Sequence, residues 1–311
     1  MTRIAVLATG EMGAAVGGVL EAGGAEVVTS LKGRSARTAG LARSAGIEDA
    51  GSLKNAVAAA DVFLSIVPPA SAAEVAEAVA GALGSRSRPL LYVDFNAISP
   101  RTAVEIGQRM TEAGATFVDG GIIGFPPRPG PQATRFWVSG EAAPEAQVLS
   151  EHGLDVRDAG QRIGQASTLK MCYAAMTKGL TAIATESFVT ASAAGLTPAL
   201  LTELALSQAA LLRWLEHMVT SSPPKAHRWI GEMEEIAATF AETGLSPKMF
   251  EGAAEVYRFV ASTAPGRETV ETRRPRNLSD LADELVFELR REGPSEPEIE
   301  QSPGHSGADL P

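Results

Sequence analysis

The chain has 311 residues, 45% hydrophobic and 21% charged, a balance that supports a folded core of one large domain or two ordinary ones. Its net charge of −10 argues against nucleic acid or an anionic membrane surface as partner, because both call for a basic stripe. A lone cysteine, Cys172, leaves no internal disulfide. The start shows no signal-peptide apolar region and no window reaches the roughly 18 apolar residues of a membrane span, so a cytoplasmic protein is expected.

The first 160 or so residues read as strands alternating with helices. Residues 4–8 form a short apolar strand, followed by a glycine turn and a small-residue helix to Ala22. Further strands are read at 25–31, 61–67, 89–95 and 115–119, with helical stretches between them. Near-continuous apolar strands separated by helices predict a doubly wound parallel sheet covered on both faces, here over residues 1–163. After Gly164 the pattern becomes helical. Residues 166–194 contain no proline, and Leu169, Tyr173, Met176, Leu180, Ile183 and Ala184 recur at helical spacing, so one long helix is expected. Further helices are expected at 200–219, with Thr197-Pro198 leading in, at 226–241 and at 247–261. A last one runs to about 291 with Ser279 as its cap. Residues 164–291 thus form an all-helical domain, and residues 292–311, rich in Pro, Ser, Gly and Glu, read as a disordered tail.

Ala8-Thr9-Gly10-Glu11-Met12-Gly13 follows the first strand and opens the first helix. A dinucleotide fold needs glycine there, so that the backbone approaches the pyrophosphate and the helix N-terminus stabilises its charge. The usual first glycine is Ala8 in this chain, tolerable where the turn keeps φ negative. At the end of the second strand an NAD enzyme carries an acid for the ribose hydroxyls, whereas this chain carries Lys32, Arg34, Ser35 and Arg37. Cations and a hydroxyl suit the 2′-phosphate of NADP; a solvated basic loop is the plainer alternative. Ser65-Ile66-Val67-Pro68-Pro69 and Asp94-Phe95-Asn96-Ala97-Ile98-Ser99-Pro100 end two strands at the edge where open parallel sheets bind ligands, which marks Val67, Pro68, Pro69 and Asn96 as further cofactor contacts.

With these segments, with Asp119-Gly120-Gly121-Ile122-Ile123-Gly124, and with Gly164 six residues before Lys170, the chain resembles the β-hydroxyacid dehydrogenase superfamily, which includes 6-phosphogluconate and 3-hydroxyisobutyrate dehydrogenases. Glu232-Met233-Glu234-Glu235-Ile236 resembles a phosphogluconate-dehydrogenase-like subgroup without a proven substrate. The resemblance implies that Lys170 is the general acid/base, a role a lysine fills when burial brings its pKa toward working pH. Tyr173 and Thr177 share its helix face at i+3 and i+7. Ser99, Gly120, Gly121, Ile122, Thr177 and Met233 become candidate substrate contacts, with Tyr173 beside the lysine in catalysis. His227, Arg228 and Glu234 are further candidates from the helical domain, and a homodimer is implied. Two departures stand out: Ala174 replaces the usual asparagine and Ile123 the usual serine of the substrate loop, so a small polar hydroxy acid is in doubt. Phe125 and Trp137 are candidates for an apolar wall, Trp137 reading more readily as core. Arg128 and Arg135 flank a proline-rich stretch that reads equally as a lid or a rigid connection. Cys172 reads as a buried helix residue. No metal-ligand spacing is present, so no metal is expected. The leading expectation is an NADP-dependent dehydrogenase or reductase acting on a small-molecule carbonyl/hydroxyl pair. An NADPH-dependent imine reductase and a non-catalytic NADPH-binding sensor stand as alternatives.

Overall fold

Each of the five apolar runs becomes a strand, because each is too short and too β-branched to bury itself any other way. The computed structural model describes residues 2–84, 88–131 and 133–292. Its elements run β1 (Arg3–Leu7), α1 (Glu11–Ala22), β2 (Glu26–Thr29), α2 (Ala36–Ser44), β3 (Glu48–Asp49), α3 (Leu53–Ala59), β4 (Val62–Ser65), α4 (Ala72–Ala82), β5 (Leu91–Asp94), α5 (Pro100–Glu112) and β6 (Thr116–Ile123). Then follow β7 (Arg135–Ser139), α6 (Val148–Glu151) and β8 (Asp155–Gly160). The helical part comprises α7 (Gln165–Ala174), α8 (Leu180–Ala193), α9 (Thr197–Ser207), α10 (Ala209–Ser221), α11 (Ala226–Glu242), α12 (Lys248–Ser262) and α13 (Leu278–Glu292).

The strand order is β3-β2-β1-β4-β5-β6-β7-β8, parallel from β3 to β6. This is a Rossmann sheet with two strands added at one edge. Register aligns Phe63, Tyr92 and Phe117 at one level across β4, β5 and β6, and their rings stack at 5.4 and 6.0 Å. That stack anchors the core on one face, while Ile4, Val6, Leu64, Val93 and Val118 build the other.

The sheet is mixed at its far edge. β7 runs antiparallel to β6, and β8 parallel to β7. Pairing with β7 carries β6 beyond the expected 115–119 as far as Ile123. β8 has the sequence Asp-Val-Arg-Asp-Ala-Gly, too polar to announce itself, as suits an edge strand.

The expected single helix over 166–194 is divided by a π turn at Ala175–Gly179. The expected 200–219 helix breaks at Gln208, whose φ of −140° and ψ of 43° lie outside the helical region. The last helix is capped by Asn277, which accepts from the Asp280 N–H at 2.9 Å, and Ser279 lies inside it. Of the expected 292–311 tail, only Glu292 falls within the described residues. The helical part has its own core around Trp229, Met233, Ile236 and Tyr257. Among the described residues no helix is long and apolar enough to cross a membrane.

Candidate active site

The direction of winding reverses between β1 and β4, and in open α/β sheets the crevice at that point receives the ligand. A cleft of about 540 Å³ opens there between the sheet and the helices. The sheet side is lined by Ala8, Gly10, Glu11, Met12, Gly13, Val67, Pro68, Pro69 and Asn96. A Cβ on Gly13 would lie 2.0 Å from the Ala8 carbonyl oxygen, so only glycine lets α1 pack this closely on its turn. Ala8 keeps φ out of the positive region, as its side chain requires. No side chain caps α1, which leaves its first N–H groups to meet an anion, and the buried Thr9 Oγ1 in the same turn has no protein partner. These features fit a dinucleotide pyrophosphate. Asn96 acts in part as a brace: its Oδ1 accepts from the Val67 N–H at 2.6 Å and its Nδ2 donates to Ser65 Oγ at 2.9 Å.

A second hollow of about 320 Å³ shares Val67 and Pro68 with the cleft and is lined by Ser30, Lys32, Arg34, Ser71 and Glu74. Lys32 and Arg34 therefore converge at the end of β2. Arg37 does not join them: it lines the main cleft and pairs with Glu271 at 2.7 Å. Ser35 instead caps α2, accepting from the Thr38 N–H at 3.2 Å, and lines neither hollow.

Lys170 is placed by the start of its helix. Gly164 precedes α7 with φ of +96°, a conformation that favours glycine. The buried Asp119 carboxylate then accepts from the N–H groups of Gly164 (2.9 Å), Ala166 (3.1 Å) and Ser167 (3.2 Å) and from the hydroxyls of Ser139 (2.7 Å) and Ser167 (2.5 Å). A charge at a helix N-terminus is favourable in its own right. Six residues after Gly164, the half-buried Lys170 turns its ammonium inward and donates to the Ile122 carbonyl at 2.8 Å. Burial is the largest influence on it and lowers its pKa from 10.5 to about 8; Lys178 lowers it further and Glu232 opposes. Tyr173 and Thr177 line the same cleft, Thr177 from within the π turn.

Several expected substrate contacts lie elsewhere. Ser99 is buried as the cap of α5, and its N–H donates to Glu235 of α11 at 2.7 Å. Gly120 and Gly121 sit within β6 and serve close packing: a Cβ would lie 2.5 Å from the Phe95 ring at Gly120 and 2.8 Å from Lys170 Cβ at Gly121. Ile122 does line the cleft, whereas Met233 is fully buried in the helical core. Phe125 lines the cleft, while Trp137 packs under Arg157 at the sheet edge, outside it. Neither Arg128 nor Arg135 lines the cleft. Cys172 is exposed rather than buried. Of the helical-domain candidates, Arg228 lines the cleft and approaches Glu11 at 3.5 Å, His227 is exposed outside it, and Glu234 pairs with Arg258.

The sequence reading missed Lys178, Trp214, Met218, Lys225, Trp229 and Glu232, all of which line the cleft. Lys178 and Glu232 form an ion pair there, with the Trp229 ring 5.1 Å from the Lys178 ammonium. The motif around Glu232 was visible, but not which of its residues faces inward. Among the described residues no group of three or more His, Cys, Asp or Glu could hold a metal.

Residues 3–144 match the NAD binding domain of 6-phosphogluconate dehydrogenase, and residues 191–260 match a domain of unknown function, DUF1932. An uncharacterized 28.5 kDa protein of Methanothermus fervidus is 35% identical over 176 residues, which span 57% of this chain and 66% of that protein. Among solved structures, a conserved protein of unknown function, described as similar to 3-hydroxyacid dehydrogenases, is 29% identical with a TM-score of 0.62, over 83% of this chain and 96% of its own. The fold is shared with the 3-hydroxyisobutyrate dehydrogenase of Mycobacterium tuberculosis (20% identity, TM-score 0.65, 93% and 99% covered). An imine reductase of Streptomyces aurantiacus shares it less closely (16%, 0.53, 93% and 99%). The architecture is that of a nicotinamide-dependent oxidoreductase, and the NAD-binding domain and the overall fold fit the β-hydroxyacid dehydrogenase superfamily.

Proposed function

We propose that the protein is an NADP-dependent oxidoreductase that moves a hydride between the nicotinamide and a carbonyl/hydroxyl substrate, with Lys170 as the general acid/base. The observation that carries this reading is the Lys170 ammonium, drawn inside the cleft at the sheet's switch point with its pKa lowered to about 8. The dinucleotide supplies or accepts the hydride when bound; the chain supplies the partner for the hydroxyl proton. Below pH 8 the lysine is mostly protonated and serves as acid for carbonyl reduction; above it, the free amine serves as base for alcohol oxidation. Reductive kcat/KM is therefore expected to fall, and oxidative kcat/KM to rise, as pH passes through about 8. Lys32 and Arg34 support NADP over NAD, as ligands for the 2′-phosphate.

A second reading, imine reduction, is favoured by one feature: Phe125, Trp214 and Met218 form an apolar wall, and Ala174 offers no polar group where the family places an amide. Turnover of NADPH and NADH with aldehydes, ketones, keto acids and cyclic imines, in wild type and Lys170→Ala, separates the two. Carbonyl-dependent oxidation of NADPH that falls at least about 100-fold in the variant supports the acid/base role. Imine turnover, or an unimpaired variant, overturns it, and tight NADPH binding without turnover would mark a sensor.

The reading also includes a cytoplasmic homodimer. Leu169, Tyr173, Met176 and Ile183 are exposed apolar side chains on α7, the π turn and α8, the kind of surface a second copy covers. Light scattering is expected to give twice the monomer mass, reduced to the monomer by Met176→Glu with Ile183→Glu.

A further inference from the structure

Lys170 and Lys178 stand eight residues apart. In an unbroken α-helix, at about 100° per residue, they would point about 80° apart. The π turn at Ala175–Gly179 is wound more loosely than an α-helix, which turns Lys178 back toward the direction of Lys170. Both then line one cleft together with Glu232 of α11.

We propose that the Lys178–Glu232 ion pair is a positioning device that sets the protonation of Lys170. The proposal rests on the reading of Lys170 as acid/base. The pair is anchored from α11 and α12. Tyr257 Oη of α12 donates to the Lys178 carbonyl at 2.6 Å, and Gly179 packs against Phe250, where a Cβ would lie 2.9 Å from the ring. The Trp229 ring flanks the ammonium. Only 16% of the Lys178 side chain and 13% of the Glu232 side chain are exposed, so water screens their fields weakly.

The charged and titratable groups around the cleft divide by element. Tyr173 shares α7 with Lys170; α11 supplies Glu232 and Arg228; the turn before it supplies Lys225; α1 supplies Glu11, itself engaged by Arg228; and Arg37 of α2 is engaged by Glu271. From β6 the ammonium meets the Ile122 carbonyl. Against Lys170 the two members of the pair act in opposite senses, Lys178 disfavouring its proton and Glu232 favouring it. Burial presses the Glu232 carboxyl toward its neutral form, but Lys178, Lys170 and Arg228 outweigh it and keep the pKa low, so Glu232 stays ionised across the working range. Removing either member leaves Lys170 facing an unbalanced charge, and removing both restores the balance. A pair that only pinned the π turn to α11 would have no such signed effect.

The test needs no substrate. The full chain is labelled with trace acetic anhydride at a series of pH values, and Lys170 acetylation is read by mass spectrometry, which gives the titration midpoint of that amine. Lys178→Met is expected to raise the midpoint by about one unit, and Glu232→Gln to lower it by a similar amount. The double variant is expected to return near wild type, and Lys178→Arg to preserve the wild-type midpoint. Glu232→Asp, the milder change, is expected to shift it in the Glu232→Gln direction by less. A midpoint unmoved in Lys178→Met, Glu232→Gln and Glu232→Asp, or single variants that shift it in the same direction, would overturn the proposal. The pH profile of NADPH turnover in the same variants separates this from the catalytic reading. If the labelling midpoints shift as expected while the rate profile stays fixed, the coupling stands and Lys170 is not the acid/base.

Discussion

Removing the Asp119 carboxylate tests whether the start of α7 is what places Lys170. Asp119→Ala leaves the N–H groups of Gly164, Ala166 and Ser167 without their carboxylate acceptor in a buried position. Each buried donor left unpaired costs about 1–3 kcal/mol. Ser139 Oγ already accepts from the Ala166 N–H at 3.0 Å and retains part of that loss, and water entering the vacated volume recovers more. The expected net destabilisation is about 3–5 kcal/mol, in the range for breaking a buried hydrogen-bond network. Asp119→Asn keeps the volume and one carbonyl acceptor but loses the charge at the helix N-terminus, and about 2 kcal/mol is expected. Urea denaturation at neutral pH measures both. Because Lys170 follows within about one and a half turns, kcat is expected to fall more than KM rises in Asp119→Asn. An Asp119→Ala protein within about 1 kcal/mol of wild type would refute the reasoning, since a loss that small is typical of a surface substitution.

Two further outcomes follow from other parts of the cleft. Lys32→Ala and Arg34→Ala are each expected to raise the KM for NADPH about tenfold while leaving that for NADH nearly unchanged, as loss of one charge-assisted contact to a 2′-phosphate would do; equal effects on both cofactors would place the phosphate elsewhere. At the end of β5 the Asp94 carboxyl is buried, which raises its pKa to about 7, with hydrogen bonds from Asn96 opposing and the charge of Asp119 adding to the rise. The folded state therefore binds this proton more tightly than the unfolded state, so the contribution of Asp94 to stability declines as pH rises from about 4 to about 7 and is level above that. Asp94→Asn is expected to be near neutral at about pH 4 and stabilising at about pH 8 by on the order of 2–4 kcal/mol, read from urea midpoints at the two pH values. A difference that does not change with pH would contradict the shift.

The sheet was legible because its strands are buried on both faces and therefore apolar without interruption; Val62–Ser65 and Leu91–Asp94 left little alternative. β8 was not, because an edge strand needs little hydrophobicity and its Asp and Arg residues serve an edge. The phosphate turn was legible since glycine is forced there by contact, as Gly13 shows against the Ala8 carbonyl. At Gly120 and Gly121 the same rule has a packing cause, since an added Cβ would meet Phe95 and Lys170. A glycine in a motif records that something comes close, not what. Ser99 and Ser35 carried a similar ambiguity, because a hydroxyl before a helix is a cap as readily as a ligand. Lys178 was hidden for a geometric reason: periodicity assumes a constant 3.6 residues per turn, and one π turn shifts every later residue on the helix.

These constraints bear together on a single side chain. A lysine on a helix ordinarily lays its stem along the surface and keeps its ammonium in water, where solvation is best. Lys170 does the opposite, and three features hold it there. The Asp119 carboxylate fixes the helix start, Gly121 removes the Cβ that would push Lys170 away from β6, and the Ile122 carbonyl receives the ammonium. Helix packing alone would account for Gly121, and a stable helix start alone for Asp119. Neither explains an ammonium turned into a cleft at a lowered pKa, an arrangement that gives up hydration without forming an ion pair among the described residues. The ion pair that stability would favour is formed nearby, by Lys178 with Glu232, and Lys170 is left one neutral acceptor and an open cleft. Such a placement lowers stability and leaves the proton transferable, which is what the proposed acid/base role asks of it.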